Sequence, residues 1–251
     1  MSDLNELVTR FQDKDRRALS RLLTMAAQPE QAEAVRAKFP HASGQGRVVA
    51  ITGNAGVGKS SLIGQLVELL RKRGQTVAVL ACDPESPLTG GALLGDRIRI
   101  SRPADDPGLF IRSLAAKAGQ QAVAENIGLM AEILSAFGFD VVLLETVGAG
   151  QGDTAVSQLA DVLVLLLQPQ TGDELQWEKS GLLEVADVVV VNKADLPGAD
   201  QVQHQVHDQL NLPGGKVVPV LSASALQQEG MKELWTAIDT QPSGRQTLGD
   251  S

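Results

Sequence analysis

The chain has 251 residues, 43% of them hydrophobic, and a formal net charge of −8, which favours one α/β domain with a modest extension. Aromatic residues make up 3% of the chain and tyrosine is absent, and together with the negative charge this argues against a partner that is a nucleic acid. Cys82 is the single cysteine, which excludes a disulfide framework, and we interpret it as a buried, unreactive thiol.

The segment after Met1 is polar and acidic, so we do not expect it to act as a secretion signal. Apolar runs such as residues 162–167 are too short to span a bilayer. We therefore expect a cytoplasmic protein that does not contact a membrane.

The first forty residues have the apolar spacing of helices. Two stripes share this spacing: Leu4, Leu7, Val8 and Phe11, then Ala18, Leu19, Leu22 and Leu23. Asp13 or Asp15 is placed to cap the second helix, and Pro29 to start a third. We interpret residues 1–46 as a packed N-terminal helical extension rather than a catalytic element.

From Arg47 onward, apolar strand patterns alternate with helical ones. The predicted strands are 47–52, 76–82, 109–112, 140–145, 161–167, 187–191 and 217–221. Their continuous Val, Leu and Ile content is typical of strands buried on both faces of a parallel sheet. We therefore predict an α/β fold, a mostly parallel sheet flanked by helices, over residues 47–240, followed by a disordered tail over 241–251.

The first predicted strand ends in a glycine-rich turn that opens a helix. The residues of this turn are Gly53, Asn54, Ala55, Gly56, Val57, Gly58, Lys59, Ser60 and Ser61. Strand, turn and helix in this order are the context of a phosphate-binding P-loop. Glycines let backbone N–H groups approach phosphate oxygens, Lys59 adds a positive charge, and the Ser60 hydroxyl is a ligand for Mg²⁺. The predicted fold is therefore that of a P-loop NTPase, with Lys59 as a candidate catalytic residue.

A second motif, after the Val-rich strand 187–191, indicates the base. Asn192, Lys193 and Asp195 form an Asn-Lys-x-Asp signature. Its carboxylate can accept hydrogen bonds from the N1–H and amino groups of guanine, and adenine does not offer this donor pair. Residues Ser224, Ala225 and Leu226, which follow the last predicted strand, fit a loop whose backbone N–H supports the guanine O6. The order of the two motifs favours GTP over ATP.

Acidic residues at two strand ends complete the predicted phosphate site. Asp83 ends the strand 76–82, and Glu145 ends the strand 140–145. Because carboxyl ends of parallel strands face the ligand crevice, these carboxylates are candidates to hold Mg²⁺, directly or through its waters. The alternative is that they cap the helices that follow. Gly148, shortly after Glu145, is a candidate sensor that donates its N–H to the γ-phosphate of bound GTP.

Several segments resemble the MeaB/ArgK family of GTPases. They are residues 15–19, 81–97, 110–113, 145–151 and 172–176 with Lys179, and the resemblance covers about residues 4–240. It implies a G-protein chaperone that binds GTP and GDP, hydrolyses GTP, and serves an adenosylcobalamin-dependent acyl-CoA mutase, typically methylmalonyl-CoA mutase. Hydrolysis is then coupled to the loading of the cobalamin cofactor and to protection of the mutase.

The resemblance also assigns roles to residues. It implies that Asp83, Asp96 and Glu145 belong to the metal and switch network. Asp173, Glu174, Gln176 and Lys179 then fall in a third switch loop, through which the mutase stimulates hydrolysis. Lys179 is a candidate to supply positive charge in the transition state, and the alternative for this loop is a solvated acidic turn.

The sequence departs from the family pattern in two places. Residues 113–121 lack the Leu-Gly-Gly pattern that usually follows the family's Ile-Arg strand, which affects the expected loop geometry beside the switches. The chain also stops soon after residues 234–238, where the family continues into a helical arm that mediates dimerisation. We therefore do not expect the family's usual homodimer to form in the same way.

Two other functions remain open at this point. One is a metal-insertion GTPase of the nickel-chaperone type, for which His41, His204, His207 and Cys82 give few ligands. His204 and His207 lie three apart on a predicted helix, and we interpret them as a solvent-facing pair. The other is an ArgK-type phosphotransferase linked to amino-acid transport. The guanine signature argues against this function.

Overall fold

A computed structural model describes residues 2–39, 46–84, 106–116, 122–146, 158–169, 181–210 and 217–242. The strands are β1 (Arg47–Gly53), β2 (Val77–Pro84), β3 (Leu109–Ala116), β4 (Val141–Glu145), β5 (Val162–Leu167), β6 (Val188–Asn192) and β7 (Val220–Ala223). The helices are α1 (Ser2–Gln12), α2 (Arg16–Ala26), α3 (Pro29–Arg36), α4 (Lys59–Lys72), α5 (Ala122–Phe137), α6 (Leu182–Val185), α7 (Ala199–Leu210) and α8 (Met231–Asp239).

The strands form one sheet in the order β3-β2-β4-β1-β5-β6-β7. Every neighbouring pair is parallel. β1 lies between β4 and β5, with Ile51 opposite Glu145 and Gly53 opposite Leu166. The predicted α/β fold of a P-loop NTPase is confirmed, and the register brings the ends of β1 and β4 together.

The two faces of the sheet are covered by different helices. Alternate strand residues such as Ala50, Leu80 and Val142 share a core with α1, α2, α3 and α5. Their neighbours, such as Val49 and Leu143, pack instead with α4 and α8. A smaller core joins β5 and β6 to α6 and α7. Burial on both faces explains why these strands are continuous in Val, Leu and Ile.

The N-terminal helices pack closely on α5. The Phe11 ring lies 5.1 Å from that of Phe39 and 5.2 Å from that of Phe137, between ring centroids. Of the two predicted caps for α2, the structure selects Asp15, whose Oδ1 accepts from the Arg17 N–H at 2.7 Å. Pro29 begins α3, as predicted. In the described part of the chain, no helix is both long enough and apolar enough to cross a membrane.

The last strand differs from its prediction. The sequence favours a strand over 217–221, but β7 is Val220–Ala223, so that expectation is wrong by about three residues at its start. Pro219 explains the shift, because proline has no N–H to donate to a ladder. Its carbonyl accepts from the Val189 N–H at 2.9 Å, while Val217 is 98% exposed. Hydrogen bonding to β6 therefore begins at the proline carbonyl, and Ser224 follows the strand directly.

Candidate nucleotide site

The glycine-rich turn connects the end of β1 to the first turn of α4. Gly58 precedes the helix with φ +96°, a left-handed conformation that favours glycine. A Cβ atom at Gly58 would lie 2.5 Å from the Asn192 side-chain nitrogen, so the close approach also requires glycine. The turn therefore lies against the Asn-Lys-x-Asp motif. The order of residues in the sequence does not reveal this contact.

The Lys59 side chain lies inside this turn and is 7% exposed. Its ammonium donates to the Gly53 carbonyl at 2.8 Å and to the Asn54 carbonyl at 3.2 Å. These are backbone oxygens of the loop that the sequence predicts to hold phosphate. The ammonium of Lys59 is therefore held next to backbone carbonyl oxygens of the loop, which carry partial negative charge.

Ser60 and Glu145 meet across the P-loop. The Ser60 hydroxyl donates to Glu145 Oε1 at 2.6 Å, and Glu145 is 6% exposed. The contact follows from the register, since Glu145 pairs with Ile51, two residues before Gly53. Next to it, the buried Thr146 hydroxyl donates to the Thr52 hydroxyl at 3.1 Å. The sequence does not point to the two threonines, whose only signal is their position at neighbouring strand ends.

These oxygens fit the chemistry of a magnesium site. Mg²⁺ prefers hard oxygen ligands and combines one or two carboxylates with phosphates and water, and Ser60 and Glu145 supply a hydroxyl and a carboxylate within one hydrogen bond of each other. Asp83 lies on β2 two residues after Ala81, which pairs with Glu145. Among the described residues, no group of three or more His, Cys, Asp or Glu side chains is placed to hold a metal.

Asn192 joins the P-loop to the loop after β7. It is 1% exposed, and its side-chain nitrogen donates to the Val57 carbonyl at 2.8 Å. Its side-chain oxygen accepts from the Ala225 N–H at 3.4 Å. The asparagine therefore holds both sides of the predicted base site in fixed relation.

Asp195 and Lys193 complete this side of the site. The Ser224 hydroxyl donates to Asp195 Oδ1 at 2.6 Å, which orients the carboxylate. The Lys193 ammonium donates to the Gly56 carbonyl at 2.7 Å and to Gln168 Oε1 at 2.6 Å. Leu226 is 86% exposed beside this loop. The sequence analysis missed Gln168. The signal that could have pointed to it is its place as the first polar residue after the apolar strand β5.

Some predicted residues lie outside the part of the chain that the structure describes. They are Asp96, Gly148, Lys179, the rest of the loop at 172–176, His41, and the side chains of Cys82 and Asp83. Residues 117–121, in the segment that departs from the family pattern, also lie outside the described residues, as does the tail from residue 243. His204 and His207 are exposed on α7, and His204 Nδ1 lies 2.6 Å from the Asp200 carbonyl oxygen.

Two features define the class of P-loop GTP-binding proteins. The central strand of a parallel sheet leads into a P-loop, and an Asn-Lys-x-Asp motif lies at the end of a nearby strand. Within that class, the family model for "Methylmalonyl Co-A mutase-associated GTPase MeaB" matches residues 19–249. The chain belongs to this family and is a GTPase. The family resemblance and the activity that the sequence predicted are both confirmed.

Three relatives agree with this assignment. A Pyrococcus abyssi protein is 42% identical over 243 residues, which cover 94% of this chain and 75% of the relative. GTPase ArgK of Escherichia coli is 33% identical over 248 residues, again 94% and 75% of the two chains. The mitochondrial methylmalonic aciduria type A homolog of Caenorhabditis elegans is 43% identical over 148 residues, 59% of this chain and 37% of the relative.

Solved structures agree on the fold. A LAO/AO transport system kinase superposes with a TM-score of 0.72 at 28% identity, covering 95% of this chain and 74% of that one. HypB from Helicobacter pylori, in complex with nickel, gives a TM-score of 0.58 at 14% identity, covering 86% and 97%. The second likeness concerns the fold alone.

Proposed function

We propose that this GTPase acts in the cytoplasm as a chaperone of an adenosylcobalamin-dependent acyl-CoA mutase. GTP binding and hydrolysis time the loading of the cofactor and protect the mutase. The observation that carries the proposal is the match of residues 19–249 to a family described as associated with methylmalonyl-CoA mutase. The relative named for methylmalonic aciduria adds support over a shorter stretch.

Phosphate binding is assigned to the P-loop. The backbone N–H groups of residues 53–61 surround the phosphates, and the Lys59 ammonium neutralises their charge. This assignment is supported by the two carbonyl contacts of Lys59, at 2.8 and 3.2 Å. Phosphate oxygens are stronger acceptors for an ammonium than neutral carbonyls, so they take over these hydrogen bonds when GTP binds.

The metal site is assigned to Ser60 and Glu145, with Asp83 and Asp96 in the same network. Mg²⁺, when bound with GTP, supplies positive charge to the β- and γ-phosphates. Glu145 orients the Ser60 hydroxyl in the structure, with 2.6 Å between the two oxygens. The carboxylate thus keeps a hydroxyl oxygen directed toward the P-loop, where the phosphates lie in this proposal.

Base recognition is assigned to Asp195, with Asn192, Ala225 and Leu226 around it. Asp195 accepts from the guanine N1–H and amino group, and the loop at 224–226 donates a backbone N–H to O6. The Ser224 hydroxyl at 2.6 Å supports this role, because it orients the carboxylate while both of its oxygens can still accept a hydrogen bond from the base. An adenine in the same place would leave the carboxylate unpaired, which is costly.

Hydrolysis proceeds by in-line attack of water on the γ-phosphate, with catalysis from positioning and charge neutralisation. Gly148 senses the γ-phosphate, and Lys179 adds charge in the transition state when the mutase binds. The intrinsic turnover is therefore low until the partner binds.

The test combines purified protein with a cobalamin-dependent methylmalonyl-CoA mutase. We expect the mutase to raise GTP turnover, and we expect GTP to change the rate at which the mutase takes up adenosylcobalamin. A matched reaction with ATP should give no stimulation. If the mutase changes neither turnover nor cofactor uptake, the chaperone function is wrong, and tighter binding of ATP than of GTP would contradict the base assignment.

A further inference from the structure

Gln168 occupies a position between the phosphate side and the base side of the site. It directly follows β5, which pairs with β1 on one side and with β6 on the other. Leu167, the residue before it, pairs with Val191, the residue before Asn192. The half-buried Gln168 therefore lies at the carboxyl edge of the sheet, level with the Asn-Lys-x-Asp motif.

The Lys193 ammonium bridges two loops through Gln168. It donates to the Gly56 carbonyl of the P-loop at 2.7 Å and to Gln168 Oε1 at 2.6 Å. An ammonium has three N–H donors, so these two contacts fix its position. A hydrogen bond with one charged partner is stronger than a neutral one, which makes the amide oxygen of Gln168 an effective anchor.

The backbone of Lys193 fixes where its side chain begins. Its φ is +58°, in the left-handed region that residues other than glycine rarely adopt. The backbone on either side is fixed, because the Ala194 N–H donates to the Ala223 carbonyl and the Leu196 N–H to the Lys193 carbonyl. The second acceptor, Gly56, lies on an exposed stretch of the P-loop with φ +78°. Gln168, by contrast, is half-buried and directly follows the buried strand β5.

We propose that Gln168 is a positioning residue for nucleotide binding. It holds the Lys193 ammonium over the P-loop, so that the four-carbon stem of the lysine forms one wall of the base site. Gln168 itself contacts the lysine and not the nucleotide. The proposal rests on the guanine site assigned above.

The experiment measures the affinity of fluorescent GDP, and of GTP by competition, for Gln168→Met, Gln168→Glu and a control variant. Methionine has a similar length and lacks the acceptor, so both affinities should fall about fivefold to tenfold. Glutamate keeps an acceptor for the ammonium and should restore binding. The melting temperature without nucleotide should stay near that of the wild type for both Gln168 variants.

Gln203→Met is the control. Gln203 is also part-buried, and its side chain accepts from the Ser222 hydroxyl at 2.9 Å, away from Lys193. It should leave GDP affinity unchanged. The proposal is overturned if Gln168→Met binds within about twofold of the wild type, if Gln168→Glu is as weak as Gln168→Met, or if Gln203→Met loses as much affinity.

A separate arm distinguishes this proposal from the assignment of the base site. Inosine diphosphate lacks the guanine amino group, so binding through Asp195 discriminates against it. Gln168→Met should lower the affinities for GDP and for inosine diphosphate by the same factor. If the wild type does not discriminate between the two nucleotides, the base site is wrongly assigned, whatever the Gln168 variants do.

Discussion

The two edges of the sheet use polar side chains in different ways. At the carboxyl edge, the cations of Lys59 and Lys193 and the amide of Asn192 donate to backbone carbonyls of neighbouring loops. At the amino edge, the cation of Arg71 has a carboxylate partner instead. The Arg71 guanidinium contacts both oxygens of Asp106, at 3.0 and 2.7 Å, and only 15% and 10% of these side chains is exposed.

The difference shows where a ligand can bind. Carbonyl acceptors are neutral, so a phosphate can displace them from a cation, whereas a carboxylate in a two-point contact is already the best partner for a guanidinium. Hydrogen bonding to Asp106 accordingly raises the pKa of Arg71. We expect substitutions at the carboxyl edge to change activity and those at the amino edge to change stability.

Lys59→Met tests the carboxyl edge with the largest expected effect. Loss of one charge that stabilises the transition state should lower kcat/KM for GTP about 10²- to 10³-fold. The melting temperature without nucleotide should change little, because the lysine donates to neutral carbonyls of its own loop. Steady-state phosphate release and thermal unfolding measure the two quantities. Hydrolysis close to that of the wild type would remove Lys59 from the catalytic machinery.

Asp195→Asn changes the base that is preferred. The amide replaces one acceptor by a donor, so GDP affinity should fall about a hundredfold. Xanthine carries a carbonyl where guanine has its amino group, so xanthosine diphosphate should bind this variant better than GDP does. Ser224→Ala is the companion variant, since it keeps the carboxylate and removes the hydroxyl that orients it. An unchanged GDP affinity in Asp195→Asn would contradict the base assignment.

Asp106→Ala tests the amino edge. It leaves the Arg71 charge largely buried and without its carboxylate, and should lower the free energy of unfolding by about 2 kcal/mol. GDP affinity should remain that of the wild type. The double variant Arg71→Met with Asp106→Leu should recover part of the stability, because no charge remains buried. Denaturant unfolding measures the stability of these variants, and GDP titration measures their affinity. If Asp106→Ala loses as much GDP affinity as a P-loop variant, the two edges do not differ in function.

The sequence predicts the parts of the molecule whose signal is local. Continuous apolar runs locate β1, β2, β4, β5 and β6, and only the first half of β3, which the sequence predicts over 109–112 and which extends to Ala116. The glycine-rich turn locates the phosphate loop. These signals are local because burial and backbone conformation act on neighbouring residues. Contacts between distant residues have no such signal. The Thr146–Thr52 and Lys193–Gln168 hydrogen bonds join residues 94 and 25 positions apart, and only the sheet order brings them together. Pro219, by contrast, carried a local signal for the start of β7 that the apolar run obscured.

The sequence also left two candidates for the cap of α2, and the choice between Asp13 and Asp15 gives the smallest effect. Asp15 lies where α2 docks on the amino edge, since the next residue, Arg16, donates to the carbonyls of Asp106, Pro107 and Leu109. Hydrogen bonds from the Arg10 side chain, and then from the Arg17 N–H, lower the pKa of Asp15 below its usual 3.8. Its carboxylate therefore stabilises the fold above about pH 4, and this contribution is lost as the pH falls through the lowered value.

Asp15→Asn keeps an acceptor for the helix N-terminus and loses the charged contact with Arg10, so it should lower the melting temperature slightly at pH 7. The difference from the wild type should begin to shrink as the pH falls below 3.8, where the carboxyl is protonated in the unfolded chain, and it should be lost below the lowered pKa of the folded protein. Asp13→Asn is the matched control, since it removes the same charge from an exposed side chain two residues away. Thermal unfolding of the three proteins between pH 7 and about pH 3 compares them over the range in which aspartate titrates. An equal loss in Asp13→Asn would show that net charge, rather than the Arg10 contact, is responsible.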